Sequence, residues 1–188
     1  MKNIEESLQK NTTKMMTVFN QLIASYHVFY QNLRNFHWNV EGQNFYTLHE
    51  LFENQYNKAK TNIDDIVERQ ITIGVKPLSK MSDYLEQSKI AEANLGLTDR
   101  QMMNVLYDNQ SVLITLLNNT IDWAKDNDDE ATIDLLGSIL SDMEIDNWQF
   151  AAWLGISNLK ENTAKPNLKP RHKSTPNKKA LENANRTS

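Results

Sequence analysis

The chain has 188 residues, a formal net charge of −4, no cysteine, five glycines and four prolines, a length that suits one domain plus some tail. The missing cysteine excludes disulfides, zinc–thiolate sites, cysteine-ligated iron–sulfur clusters and thiol catalysis. No apolar run approaches the ~20 residues that span a bilayer, and the charged start MKNIEESLQK lacks a signal-peptide core, so a soluble cytoplasmic protein is expected.

The mean hydropathy of −0.62 and the scarcity of turn residues favour long amphipathic helices. Residues 1–12 are polar and expected to form a flexible, frayed segment. From about Thr13 to Asn39, Met16, Phe19, Ile23, Tyr26, Tyr30, Leu33 and Phe36 recur at steps of three and four, one face of a helix. Gly42 breaks it. A second pattern runs from about Phe45 to Ile73 through Leu48, Phe52, Tyr56, Ala59, Ile63, Ile66 or Val67, and Ile71, and Gly74 and Pro77 end it. Residues 75–97 form a long crossover in which a short helix can start at Ser82. Thr98 and Gln101 make a capping box for a third long helix through Val105, Leu106, Val112, Leu113, Leu116, Leu117, Ile121 and Trp123. After the acidic linker Asp126–Asp129, a fourth runs from about Glu130 to Leu159 with Ile133, Leu136, Leu140, Met143, Trp148, Ala151, Ala152 and Leu154. The expected fold is all-α: a four-helix bundle over 13–159 with the single long crossover, between helices 2 and 3, of the ferritin-like connection.

Residues 160–188 are different in kind. They hold eight basic residues against two acidic ones, a charge of +6, so the remainder of the chain carries −10. Three of the four prolines lie here (Pro166, Pro170, Pro176), and the segment has too little apolar surface to fold alone. Lys165, Lys169, Arg171, Lys173, Lys178, Lys179 and Arg186 are candidates for nonspecific binding of DNA phosphates. The plain alternative is a solubilising tail.

The densest group of metal-ligating side chains is His37, His49, Glu53, Asp64 and Glu68. His49 and Glu53 are four apart and share a helix face, as do Asp64 and Glu68; either pair alone usually marks a solvated face. At ~1.5 Å rise per residue, His49 and Asp64 are roughly 22 Å apart along the helix, whereas metal–ligand bonds are ~2.0–2.2 Å. The two pairs therefore cannot hold one metal within a chain. A second copy lying antiparallel about a two-fold axis near residue 58 would bring His49 of one to Asp64 and Glu68 of the other, with His37 joining from the same side, giving two equivalent sites per dimer. The site is intersubunit or absent. No glutamate is followed by histidine three residues on, which disfavours the intrachain di-iron centre built from Glu-x-x-His. Carboxylate and imidazole without thiolate suit iron, and zinc, manganese or cobalt can occupy the same groups.

The stretch FHWNVEGQNFYTLHELFENQY followed by IDDIVER, with DMEIDNWQFAAWLG later, resembles the signature of the Dps family of miniferritins over about residues 12–158. The resemblance implies that His37, His49 and Glu53 of one subunit and Asp64 and Glu68 of its two-fold mate form a ferroxidase centre. Trp38 would be the aromatic beside the iron, and Glu53 stands where many members have Asp. It also implies a hollow dodecamer that oxidises Fe(II), preferentially with hydrogen peroxide, stores ferric mineral and protects DNA. It places Asp129, Glu130 and Asp134 at three-fold pores that admit iron; the alternative is an acidic helix start favoured by the macrodipole. Two other functions stay open: a structural nucleoid DNA-binding protein with a vestigial metal site, and an unrelated helical scaffold. His27 is ~15 Å along the helix from His37 and is expected to be packing or surface.

Overall fold

The computed structural model describes the backbone of residues 2–156 and, within it, the side chains of Glu6 and of residues 11–156. The chain divides into a unit Met1–Asn158 and a unit Leu159–Ser188. The second lies outside the described residues, and with it Lys165, Lys169, Arg171, Lys173, Lys178, Lys179 and Arg186.

Five helices follow one another: α1 (Lys2–Asn39), α2 (Phe45–Thr72), α3 (Met81–Gln87), α4 (Asp99–Lys125) and α5 (Glu130–Leu154). Among the described residues there is no strand. Helix α1 packs on α2 and α4, and α5 on α4 and α2. The four long helices thus close a ring, with α3 laid against α1. Phe19, Tyr26, Phe29, Phe36, Phe52 and Phe150 fill the centre with side chains closed to solvent; burying each contributes about 1.5–3 kcal/mol.

Helix α1 begins at Lys2 rather than near Thr13. No glycine or proline interrupts it. At Asn11 and Lys14 the helix is joined to α4 and the loop that follows it. Trp123 Nε1 donates to Asn11 Oδ1 at 3.2 Å, Asn11 also bonds Asn127, and Lys14 pairs with Asp126 at 3.2 Å. At the other end of the chain, α5 stops at Leu154 and not Leu159. Gly155 adopts φ +75 there, and Ile156 N donates to Ala151 O at 2.8 Å, a left-handed stop that favours glycine. Gly74 ends α2 in the same way, with φ +83 and a 3.0 Å bond from Val75 N to Gln70 O. The Thr98–Gln101 capping box is present as the spacing predicts.

Three large side chains assigned to the apolar stripes are exposed instead: Met16 (42 %), Ile71 (56 %) and Trp148 (57 %). Met16 lies one turn before the core begins at Phe19, and Ile71 lies in the last turn of α2. Trp148 and the equally exposed Ile145 stand on the outer side of α5. Ala152 is exposed as well. Periodicity marks a face without saying where the neighbouring helix ends.

The crossover is fastened to α1 by polar side chains. Asn32, almost fully buried, donates to Ala91 O at 2.9 Å and accepts from Ala93 N at 2.8 Å. Ser25 Oγ accepts from Lys89 N at 2.9 Å. His27 stacks on Tyr84 of α3 with centroids 3.8 Å apart, which settles it as packing.

Candidate metal centre

The short loop between α1 and α2 folds the end of one helix back on the start of the next, and so brings His37 to His49. Their rings stack at 3.8 Å and 21°. His37 Nδ1 bonds His49 O at 2.9 Å and His49 Nδ1 bonds His37 O at 2.8 Å. A carbonyl oxygen only accepts, so both Nδ1 atoms carry the proton, and in the neutral ring the lone pair is on Nε2. Such an outer bond fixes the tautomer and orientation of a metal-ligating imidazole. Phe45 stacks on the outer face of His49 at 5.0 Å. Phe36 and Phe52, at 5.5 Å from each other, form the buried floor behind the loop.

Glu53 lies one turn beyond His49 on α2 and is exposed. Tyr56 OH donates to Glu53 Oε1 at 3.3 Å, and the Tyr56 ring meets His37 edge-on at 5.4 Å. Partial burial, and then the Glu53 carboxylate, push the Tyr56 phenol above its ordinary pKa. Tyr56 belongs to the apolar stripe of α2 and packs at the edge of the core, and its spacing of three from Glu53 is the signal in the sequence for the contact between them.

Asp64 and Glu68 are exposed farther along α2. By helical rise Asp64 is roughly 22 Å from His49, and among the described residues no group of three or more His, Cys, Asp or Glu side chains converges on a metal position. One chain thus holds two separate sets: an imidazole pair with Glu53, and an acidic pair. Trp38 projects from the last turn of α1, 59 % exposed, with the Arg34 guanidinium 4.6 Å from its ring centroid.

At the start of α5 the acids have different circumstances. Glu130 and Asp134 are exposed. Asp129 is the N-cap: it accepts from Thr132 N at 3.1 Å and from Thr132 Oγ1 at 2.6 Å, and pairs with Arg69. Burial opposes its charge, but the Thr132 hydroxyl and amide and the Arg69 guanidinium outweigh that and hold the carboxyl below the usual range. Asp129 is therefore engaged as the helix cap and with Arg69, whereas Glu130 and Asp134 are exposed. Arg69, which also donates to Thr132 Oγ1 at 2.9 Å, fixes the end of α2 next to Glu68 against α5.

The ferritin-like domain family matches residues 17–159. General stress protein 20U of Bacillus subtilis is 38 % identical over 142 residues, covering 76 % of this chain and 98 % of that protein. DNA protection during starvation protein 2 of Bacillus anthracis is 38 % identical over 141 residues, covering 75 % and 97 %. Among solved structures, Dps of Vibrio cholerae O1, described as a member of a broad superfamily of ferritin-like diiron-carboxylate proteins, aligns with a TM-score of 0.74 at 32 % identity over 77 % of this chain and 91 % of that one. Dps of Listeria innocua, solved after soaking with cobalt and with zinc, aligns with a TM-score of 0.74 at 28 % identity over 78 % of this chain and 95 % and 99 % of those. A bundle of four long helices with one crossover, a family match over most of the chain and relatives covered almost end to end together show that this chain belongs to the Dps family of ferritin-like proteins.

Proposed function

We propose that this protein is an iron-oxidising, iron-storing miniferritin whose oxidation centre is completed only between two copies. His37, His49 and Glu53 of one copy would face Asp64 and Glu68 of its two-fold mate. The carrying observation is the reciprocal bonding of the two histidines, which leaves each Nε2 available as a ligand atom, with exposed Glu53 one turn beyond His49 on α2, while the other two acids sit on the same helix too far away to join them. An antiparallel neighbour removes that distance. The donor set of imidazole and carboxylate fits iron, and also cobalt and zinc, the metals soaked into the Listeria innocua relative.

Iron is the substrate here. Two Fe(II) ions give one electron each to hydrogen peroxide, which takes up two protons and leaves as two waters; the ferric product is stored as mineral in a hollow dodecamer. The chain's residues would hold the ions and neutralise their charge: three carboxylates oppose the cations, and the imidazoles, oriented by their Nδ1–H bonds to main-chain carbonyls, would offer Nε2 as the ligand atom. Glu130 and Asp134, exposed at the α5 N-terminus, would draw Fe(II) inward through their negative field, with Asp129 fixing the helix start behind them. Consuming ferrous iron and peroxide together protects DNA, in keeping with the names of the relatives, and the basic tail would hold DNA phosphates.

Complementation between two variants tests the shared centre. His37→Ala and Glu68→Ala are each expected to abolish rapid peroxide-dependent Fe(II) oxidation. Co-assembled at equal amounts, they should regain about a quarter of the wild-type sites, because half of the dimers carry one intact centre. A mixture as inactive as its components would overturn the intersubunit reading.

A further inference from the structure

Glu53 is exposed, and its long side chain loses ~1.5–2 kcal/mol of rotamer freedom when fixed. Something must order it if it is to bind a cation in the same geometry each time. Tyr56 is placed to do so. It lies three residues on, the spacing that sets two side chains side by side on a helix. Its hydroxyl donates to Glu53 Oε1 at 3.3 Å. Its own ring is held between two others, meeting His37 edge-on at 5.4 Å and 85° and Tyr30 edge-on at 6.1 Å and 90°. Packing alone needs only the ring; the bond to Glu53 needs the oxygen.

We propose that Tyr56 is a positioning residue of the oxidation centre, its hydroxyl holding the Glu53 carboxylate in fixed relation to the His37 imidazole. The inference rests on the functional reading above and deepens it. One hydroxyl bond to Oε1 leaves Oε2 and the second lone pair of Oε1 free for the cation. It also accounts for the longer acid at position 53. Glu reaches the hydroxyl one turn away, whereas Asp, one methylene shorter, falls short of it.

The test uses the assembled full-length protein, with Co(II) alone as a redox-inert probe and Fe(II) plus peroxide as the reaction. Tyr56→Phe keeps the ring contacts, and light scattering checks that it assembles. It is expected to raise the Co(II) dissociation constant and the KM for Fe(II) about two- to tenfold, the worth of one net hydrogen bond. The Co(II) d–d band should shift, with kcat little changed. In a Glu53→Asp background the same substitution should add nothing, since the contact is already gone. Wild-type Co(II) affinity and spectrum in Tyr56→Phe, or an equal loss in both backgrounds, overturns the positioning role while leaving the oxidation reading intact. Absence of peroxide-dependent oxidation in the wild type overturns both.

Discussion

Histidine serves two purposes in this chain, and its environment decides which. His37 and His49 are oriented by main-chain carbonyls so that in the neutral ring the lone pair is on Nε2. His27 instead lies flat against Tyr84, and burial lowers its pKa below the ordinary value of 6.5. Its neutral form is therefore the one the fold accepts. The stability it contributes is fully present above the unfolded-state pKa and is lost as pH falls from there through the lower folded-state value. His27→Phe keeps the stacking and removes the titration. Its thermal midpoint should fall less than that of the wild type as pH drops below about 6.5; parallel curves for the two proteins would contradict the assignment.

Helix ends in this molecule combine local motifs with tertiary ones. The Thr98–Gln101 box and the glycines at 74 and 155 are local: each satisfies terminal backbone groups with atoms a few residues away. Thr98→Ala should cost about 1 kcal/mol, read as a lower denaturation midpoint with unchanged slope. The start of α5 is tertiary as well as local, because its Asp129 cap is also the partner of Arg69 on α2. The early part of α1 is joined at Asn11 and Lys14 to Trp123 of α4 and to the loop between α4 and α5. Periodicity from Thr13 onward was readable because those residues face the core. The sequence around Asn11 does not announce its partners Trp123 and Asn127.

At the scale of the molecule, an acidic body and a basic tail have to coexist. The body carries −10 and residues 160–188 carry +6, so DNA attraction would have to come from the tail, multiplied by the number of tails on one assembly. Full-length protein is expected to retard duplex DNA at low salt, and to release it steeply as salt rises. A version ending at Leu159 should not retard it. Equal retardation by both would reject the tail as the DNA-binding element.

The sequence by itself determined the helix count, the single long crossover, the capping box, and the separation of His37, His49 and Glu53 from Asp64 and Glu68, because each follows from spacing along one chain and a fixed rise per residue. Tertiary structure decided three further things: that the two imidazoles face each other with their Nδ1 protons spent on carbonyls, that the Asp129 cap is also bound to Arg69, and that the Tyr56 ring stays at the edge of the core with its hydroxyl on Glu53. A side chain's chemistry is set by which polar atom it meets, and for His37 and Asp129 those atoms lie 12 to 60 residues away. For Tyr56 the partner is near, but whether its ring is buried depends on a packing surface that periodicity does not locate.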